Sequence, residues 1–191
     1  MYNFFSIMNL LKIMFLLLSF LLFGCRKTIE EDIVLMQSSP FKLNIDSLFC
    51  VKLAHDTFVE PEVSGKIKIV IFSDSTICSP CAIKSIGSWD HYIQLSQNSK
   101  GGLQLFFIFV QNKKNINSLL YTLKEYFFDY PVYVDTLGIF QKDNPHLSEN
   151  TKLHTFLLDE NNNVILVGNP THSLKLKELY DKIIGEKLFV Q

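Results

Sequence analysis

The chemistry in this sequence concentrates in Cys78-Ser-Pro-Cys81. Two thiols with this offset fall about one helical turn apart, close enough to close a disulfide. Such a pair can be a structural staple, half of a metal site, or a couple that opens and closes as it works. The flanking residues bear on the choice. Lys66-Ile-Lys-Ile-Val-Ile-Phe72 leads into the cysteines and has the β-branched, apolar composition of a strand. Beyond them Ala82, Ile86, Trp89 and Ile93 recur at helical spacing, so a helix is expected to leave from the motif and to end over residues 98–102, with Gly87 weakening it. A thiol at such a handover meets backbone N–H groups without intrahelical partners and the positive end of the helix macrodipole. Thiol pKa values there fall to about 3.5–7.5, against about 8.5 for a free cysteine. Pro80 costs little near a helix start, where its missing N–H is not needed.

This placement gives the two sulfurs different roles. Cys78, nearer the surface, is expected to attack a partner disulfide. Cys81, more buried, then attacks Cys78 and releases the reduced partner. Run backwards, the same steps oxidise a partner. Asp74, four residues before Cys78, is a candidate for assisting proton transfer, or an ordinary turn or cap residue. A zinc site needs more ligands than one such pair, and Cys50, His91 or His154 would have to converge on it. Copper(I) suits soft thiolates, but Cys78 and Cys81 are not spaced as copper-transfer proteins of this kind space them. No metal and no cofactor beyond the Cys78–Cys81 disulfide is expected.

The compartment decides whether that disulfide persists. Lys12 is followed by an apolar run from Ile13 to Phe23 that suits a secretory leader and is short for a membrane span. The run ends in Leu22-Phe-Gly-Cys25, which resembles the bacterial lipobox, in which the cysteine receives lipid and becomes the first residue of the exported chain. Met8 and Met14 are alternative starts for this leader. Residues 1–24 are therefore expected to be a lipoprotein signal peptide, with Cys25 as the lipidation site and membrane attachment through lipid. Export places the thiols where disulfides survive. Cys50 is then the odd cysteine, either a buried strand residue or a third redox-active thiol. The charge balance, 18 Lys+Arg against 19 Asp+Glu in 191 residues, argues against a nucleic-acid partner.

Residues 25–39 have the look of a polar tether, and residues 40–65 of a short β extension. From residue 66 the pattern is strand, cysteines, helix to about residue 98, and the nearly unbroken apolar strand Leu103–Val110. A helix carrying Ile116, Leu119, Leu120, Leu123 and Phe127 and a strand Pro131–Val134 come next. Residues 136–152 are irregular, with one helical turn near Ile139. Strands at residues 155–158 and 164–167 flank the turn-rich Asp159-Glu-Asn-Asn-Asn163, and a last helix carries Leu176, Leu179, Tyr180 and Ile183, with Gly185 as its cap. Parallel strands joined by helices and closed by a hairpin make an α/β fold, a central mixed sheet flanked by helices.

From about Lys66 to Leu179, within a domain expected over residues 66–191, the chain resembles the thioredoxin-like envelope thiol–disulfide oxidoreductases, some of them lipid-anchored. Cys78-Ser-Pro-Cys81 between strand and helix, Trp89, Tyr130-Pro-Val-Tyr-Val-Asp135 and Thr155-Phe-Leu-Leu-Asp159 carry the resemblance. It implies a thioredoxin-like domain in the cell envelope, facing the periplasm or the cell surface. Its implied partners are protein thiols and disulfides, together with an upstream redox donor. It also implies a partner-binding surface around Ile77, Pro80 and Leu153. Two positions depart from the family pattern. Ile77 stands where an aromatic residue usually precedes the first cysteine, and Leu153-His154 replaces the usual cis-proline and threonine. Leu153 is expected to be trans, because a non-proline cis bond costs about 3 kcal/mol. The resemblance places His154 near Cys78, where a cationic ring would lower the thiol pKa. The alternative is an anchored accessory or binding protein of the same fold without redox turnover.

Overall fold

The computed structural model describes residues 12, 28–52, 57–58, 67–74 and 85–189. The chain divides into two compact units, Met1–Glu31 and Asp32–Gln191. In the first, Thr28 and Glu31 form a capping box: the Glu31 N–H donates to Thr28 Oγ1 at 3.2 Å, and the Thr28 N–H donates to Glu31 Oε2 at 2.9 Å. This opens helix α1, Ile29–Met36. Within the second unit Met36 is fully buried and Ile33 packs against the same core. The segment expected to be a polar tether therefore contains a helix whose last turns are packed. The Thr-x-x-Glu signal and the spacing of Ile33 and Met36 account for it.

Among the described residues a sheet of seven strands orders the second unit. In chain order they are β1 (Phe49–Lys52), β2 (Thr57–Phe58), β3 (Ile67–Ser73), β4 (Leu103–Val110), β5 (Val132–Asp135), β6 (Thr155–Leu158) and β7 (Val164–Val167). Across the sheet the order is β2-β1-β5-β4-β3-β6-β7. β3, β4 and β5 are parallel, while β6 and β7 continue antiparallel from one edge and β1 and β2 from the other. The expected β extension thus lengthens the main sheet. Its strand β1 pairs with β5 and places Cys50 opposite Tyr133.

Both faces are covered, which explains the apolar run of β4. Leu103, Leu105, Phe107 and Phe109 enter one core, and Phe106 and Ile108 enter the other. The first core is closed by α2 (Asp90–Asn98), α3 (Ile116–Glu125) and α5 (Leu174–Phe189), through Tyr92, Leu119, Leu123, Tyr180 and Ile184. The second is closed by Met36 of α1 and Phe140 of α4 (Ile139–Asp143). Connectivity accounts for the division. The steps β3 to β4 and β4 to β5 move the same way across the sheet, so crossovers of one hand leave both helices on one face. The chain then doubles back to place β6 on the other side of β3, and the connecting helix α4 falls on the opposite face.

Two elements differ from the sequence expectation. The described part of the helix after the cysteines opens as a 3-10 turn, Ile86–Trp89, and becomes α-helical only from Asp90. The 3-10 spacing brings Ile86 and Trp89 onto one side, where both are buried, and the Ser88 hydroxyl donates to the Ser85 carbonyl. At the C-terminus Gly185 does not cap the last helix. The helix runs on to Phe189 and packs Leu188 against the first core. That burial outweighs the helix penalty of one glycine, about 1 kcal/mol.

Candidate functional site

The site is built where β3 ends. Its antiparallel ladder with β6 pairs Ile71 with Thr155, and the Phe72 N–H then donates to the His154 carbonyl at 2.9 Å. This bond fixes the His154 backbone two residues from Asp74 on the neighbouring strand. The His154 ring stands edge-on to Phe72, with centroids 5.1 Å apart, and is only 3% exposed. A histidine at a strand start is commonly exposed; the structure buries this one.

Two polar contacts orient that ring. Nε2 lies 2.8 Å from the Ser148 carbonyl oxygen. A carbonyl can only accept, so Nε2 carries the hydrogen and donates it. Nδ1 has no hydrogen-bond partner and lies 4.0 Å from Asp74 Oδ2. Ser73, at the last position of β3, is likewise buried with an unpartnered Oγ. A cavity of about 200 Å³ adjoins these groups; Ser73, Ser85, Trp89, Thr151, His154 and His172 are among its lining residues.

Leu153 closes the 3-10 turn Thr151–Leu153, opened by the Asn150 side chain, which accepts the Lys152 N–H at 3.2 Å. No cis peptide bond occurs among the described residues, Leu153 included. The Leu153 side chain is buried in the second core, so a partner at this position would meet backbone rather than the leucine side chain. Trp89 is also core: it is buried and meets Phe107 edge-on at 6.0 Å. Cys78, Cys81, Ile77, Pro80 and Cys25 lie outside the described residues. The structure therefore brings Asp74 and His154 together at the end of the strand that leads into Cys78-Ser-Pro-Cys81.

Cys50 sits elsewhere. It is buried on β1 in the second core, beside Tyr133. Burial pushes its thiol pKa up, and a hydrogen bond with Tyr133 offsets this in part. The bland reading of this cysteine, a buried strand residue, is what the structure displays. Among the described residues no group of three or more His, Cys, Asp or Glu is placed to hold a metal ion. Among them no helix is long and apolar enough to cross a membrane.

Sequence reasoning missed Ser73 and His172. His172 follows β7 in a turn where the Thr171 N–H and hydroxyl both donate to Asn169 Oδ1 at 2.8 Å. Its approach to the end of β3 depends on the β3-β6-β7 order, which no local pattern encodes. Ser73 is a small polar residue at a strand end and carries no signal of its own.

A mixed sheet with parallel central strands and an antiparallel closing hairpin, covered by helices on both faces, is a thioredoxin-like fold. Comparison with solved structures agrees. The chain is similar to a thioredoxin-like protein from Porphyromonas gingivalis, with a TM-score of 0.50 and 20% identity, covering 78% of this chain and 94% of that one. It is also similar to a candidate thiol:disulfide interchange protein, DsbE, from Chlorobium tepidum, with a TM-score of 0.51 and 17% identity over 78% of this chain and 99% of the other. No protein-family profile matches the chain, and no curated protein matches it in sequence.

Proposed function

We propose that the protein is a thiol–disulfide oxidoreductase of the bacterial cell envelope, held to a membrane by lipid on Cys25. One observation carries the reading: in a thioredoxin fold, Cys78-Ser-Pro-Cys81 follows a central parallel strand at the edge where strand order reverses, four residues beyond Asp74. In open α/β sheets, functional groups gather outside the carboxyl ends of strands at such a reversal.

The Cys78 thiolate attacks one sulfur of a partner disulfide, and the other partner sulfur leaves as a thiolate and takes a proton. Cys81 then gives up its proton and attacks Cys78 in the mixed disulfide. The partner leaves as a dithiol, Cys78–Cys81 is left as a disulfide, and two electrons have passed to the partner. An upstream dithiol donor returns them. Backbone N–H groups at the start of the following helix would hold the Cys78 thiolate.

The test is trapping. Cys81→Ser should accumulate mixed disulfides on non-reducing gels, and Cys78→Ser should not. Equal trapping by both variants, or by neither, contradicts the assignment. A second reading, an anchored accessory protein with a static disulfide, is favoured by one observation: Leu153 stands in place of the partner-aligning proline and turns its side chain into the core.

A further inference from the structure

We propose that the groove beside Phe127 docks a protein segment in which a Lys or Arg adjoins an apolar side chain, with the Phe127 ring as its anchor. The proposal stands on described residues alone and does not depend on the oxidoreductase reading.

Helix α3 ends in a Schellman turn. The Phe128 N–H donates to the Leu123 carbonyl at 3.0 Å, and the Phe127 N–H to the Lys124 carbonyl at 3.1 Å. The turn requires a left-handed residue at Phe127, whose φ is +51°. Glycine takes this conformation freely, whereas a bulky side chain is strained in it. Burial does not offset the strain, because Phe127 is 91% exposed. Helix α2 is also followed by a left-handed residue, Lys100 at φ +50°, but a cation suits the negative end of a helix. A phenyl ring has no such compensation. A ring that is strained in the fold and gains nothing from folding points to a use outside it.

The ring borders a groove of about 310 Å³. Tyr126 and Phe127 line it from the turn after α3, and Ile86, Gly87 and Ile93 line it from the 3-10 turn and α2. Its base is fixed. Phe128 meets Phe107 edge-on with centroids 5.2 Å apart. The Tyr130 hydroxyl accepts the Leu105 N–H at 3.2 Å and is bonded to Ser96 Oγ at 2.9 Å. A partner meets a groove already formed, so little of its binding energy is lost in ordering the surface.

Charge selects the occupant. Asp90 and Asp129 lie on the groove and both are exposed. Glu125 is next to Tyr126 and accepts a hydrogen bond from Tyr121. Over residues 85–93 and 121–130 these three carboxylates stand against one lysine, Lys124. Acidic groups around aromatic ring faces attract a cation, and the apolar lining suits the aliphatic stem of Lys or Arg and an apolar neighbour. A second copy docked about a two-fold axis through this face would bring two acidic rims together. An anionic lipid surface would be repelled by the same rim. A basic and apolar protein segment is the occupant whose charge complements it.

The test titrates the ¹⁵N-labelled full chain with acetylated, amidated pentapeptides and follows its amide shifts by NMR. The probes are Gly-Leu-Lys-Leu-Gly and Gly-Leu-Arg-Leu-Gly, with Gly-Leu-Glu-Leu-Gly as control. The basic peptides should shift the amides of Gly87, Asp90 and Phe127 and bind about 10-fold or more tightly than the control. Phe127→Gly should weaken them by about 10-fold or more and at the same time raise the denaturation midpoint, because glycine relieves the strained turn. A ring that served only the fold would lower the midpoint instead. Asp90→Lys should turn the preference towards the Glu peptide. Absence of binding, equal affinity for the three peptides, or unchanged binding in Phe127→Gly overturns the proposal. So does self-association, or binding to phosphatidylglycerol vesicles, that Phe127→Gly abolishes, since the face would then belong to a second copy or to a membrane. None of these measurements reads disulfide exchange, so the oxidoreductase reading stands or falls separately.

Discussion

Two parallel strands of the sheet end in an aspartate neighbourhood, and the two ends are built differently. At the end of β5 the Asp135 carboxylate is fully buried and accepts three backbone N–H groups: Leu137 at 3.1 Å, Ile139 at 3.0 Å and Phe140 at 2.9 Å. It caps α4, with Gly138 supplying the left-handed residue, φ +67°, that the turn requires. At the end of β3 the Ser73 hydroxyl and His154 Nδ1 are buried with no partner, beside a cavity. A buried polar group with all its bonds made is structure. One left without them needs another explanation. Here the unsatisfied end is also the one that continues into the two cysteines.

Removing the chemistry from one end and the bonds from the other should separate these roles. The largest expected effect is at the β3 end: Cys78→Ser should lower disulfide exchange by about 10⁴-fold or more without unfolding the protein. Exchange assays beside a thermal melt would check both halves of that statement. At the β5 end the effects reverse. Asp135→Ala strands three N–H groups and should lower stability by about 3 kcal/mol, measured by denaturant unfolding, while each folded molecule keeps its exchange rate. A loss of exchange in Asp135→Ala at full stability would break the comparison.

The split between what the sequence makes legible and what it hides follows the same physics. The strands, their order along the chain and the closing hairpin are readable because alternating or continuous apolar runs have few ways to be buried. Cys50 as a strand residue and Trp89 as core follow from the same patterns. The passage of α5 through Gly185 is not readable, because the contact that carries the helix onward, Leu188 on the core, is tertiary. The meeting of His154 with Asp74 could be expected only through the family resemblance, since the residues lie 80 positions apart and are joined by an antiparallel register. His172 and Ser73 had no signal at all.

Two smaller effects sharpen the contrast. Cys50→Ala should cost about 1 kcal/mol and leave exchange unchanged, because Cys50 lies in the second core, on a strand away from β3. Its raised pKa means that the thiolate forms only at more alkaline pH than usual, so Cys50 should resist alkylation in the native state near pH 8 and react once the chain unfolds. A fast-reacting Cys50 would revive a redox role for it. The smallest effect is expected at Gly185, where an added Cβ meets nothing within 4 Å. Gly185→Ala should stabilise the protein by about 1 kcal/mol, read as a raised denaturation midpoint, with no change in exchange.

The reduction potential of the Cys78–Cys81 couple tests the central claim most directly. Equilibration of the full chain with glutathione buffers, followed by acid quench and mass analysis of the thiols, gives the value. A working couple should lie above about −300 mV, within reach of biological dithiols. A value well below that, with a disulfide that no dithiol partner opens, would contradict the account and leave a static bond in a thioredoxin-like fold.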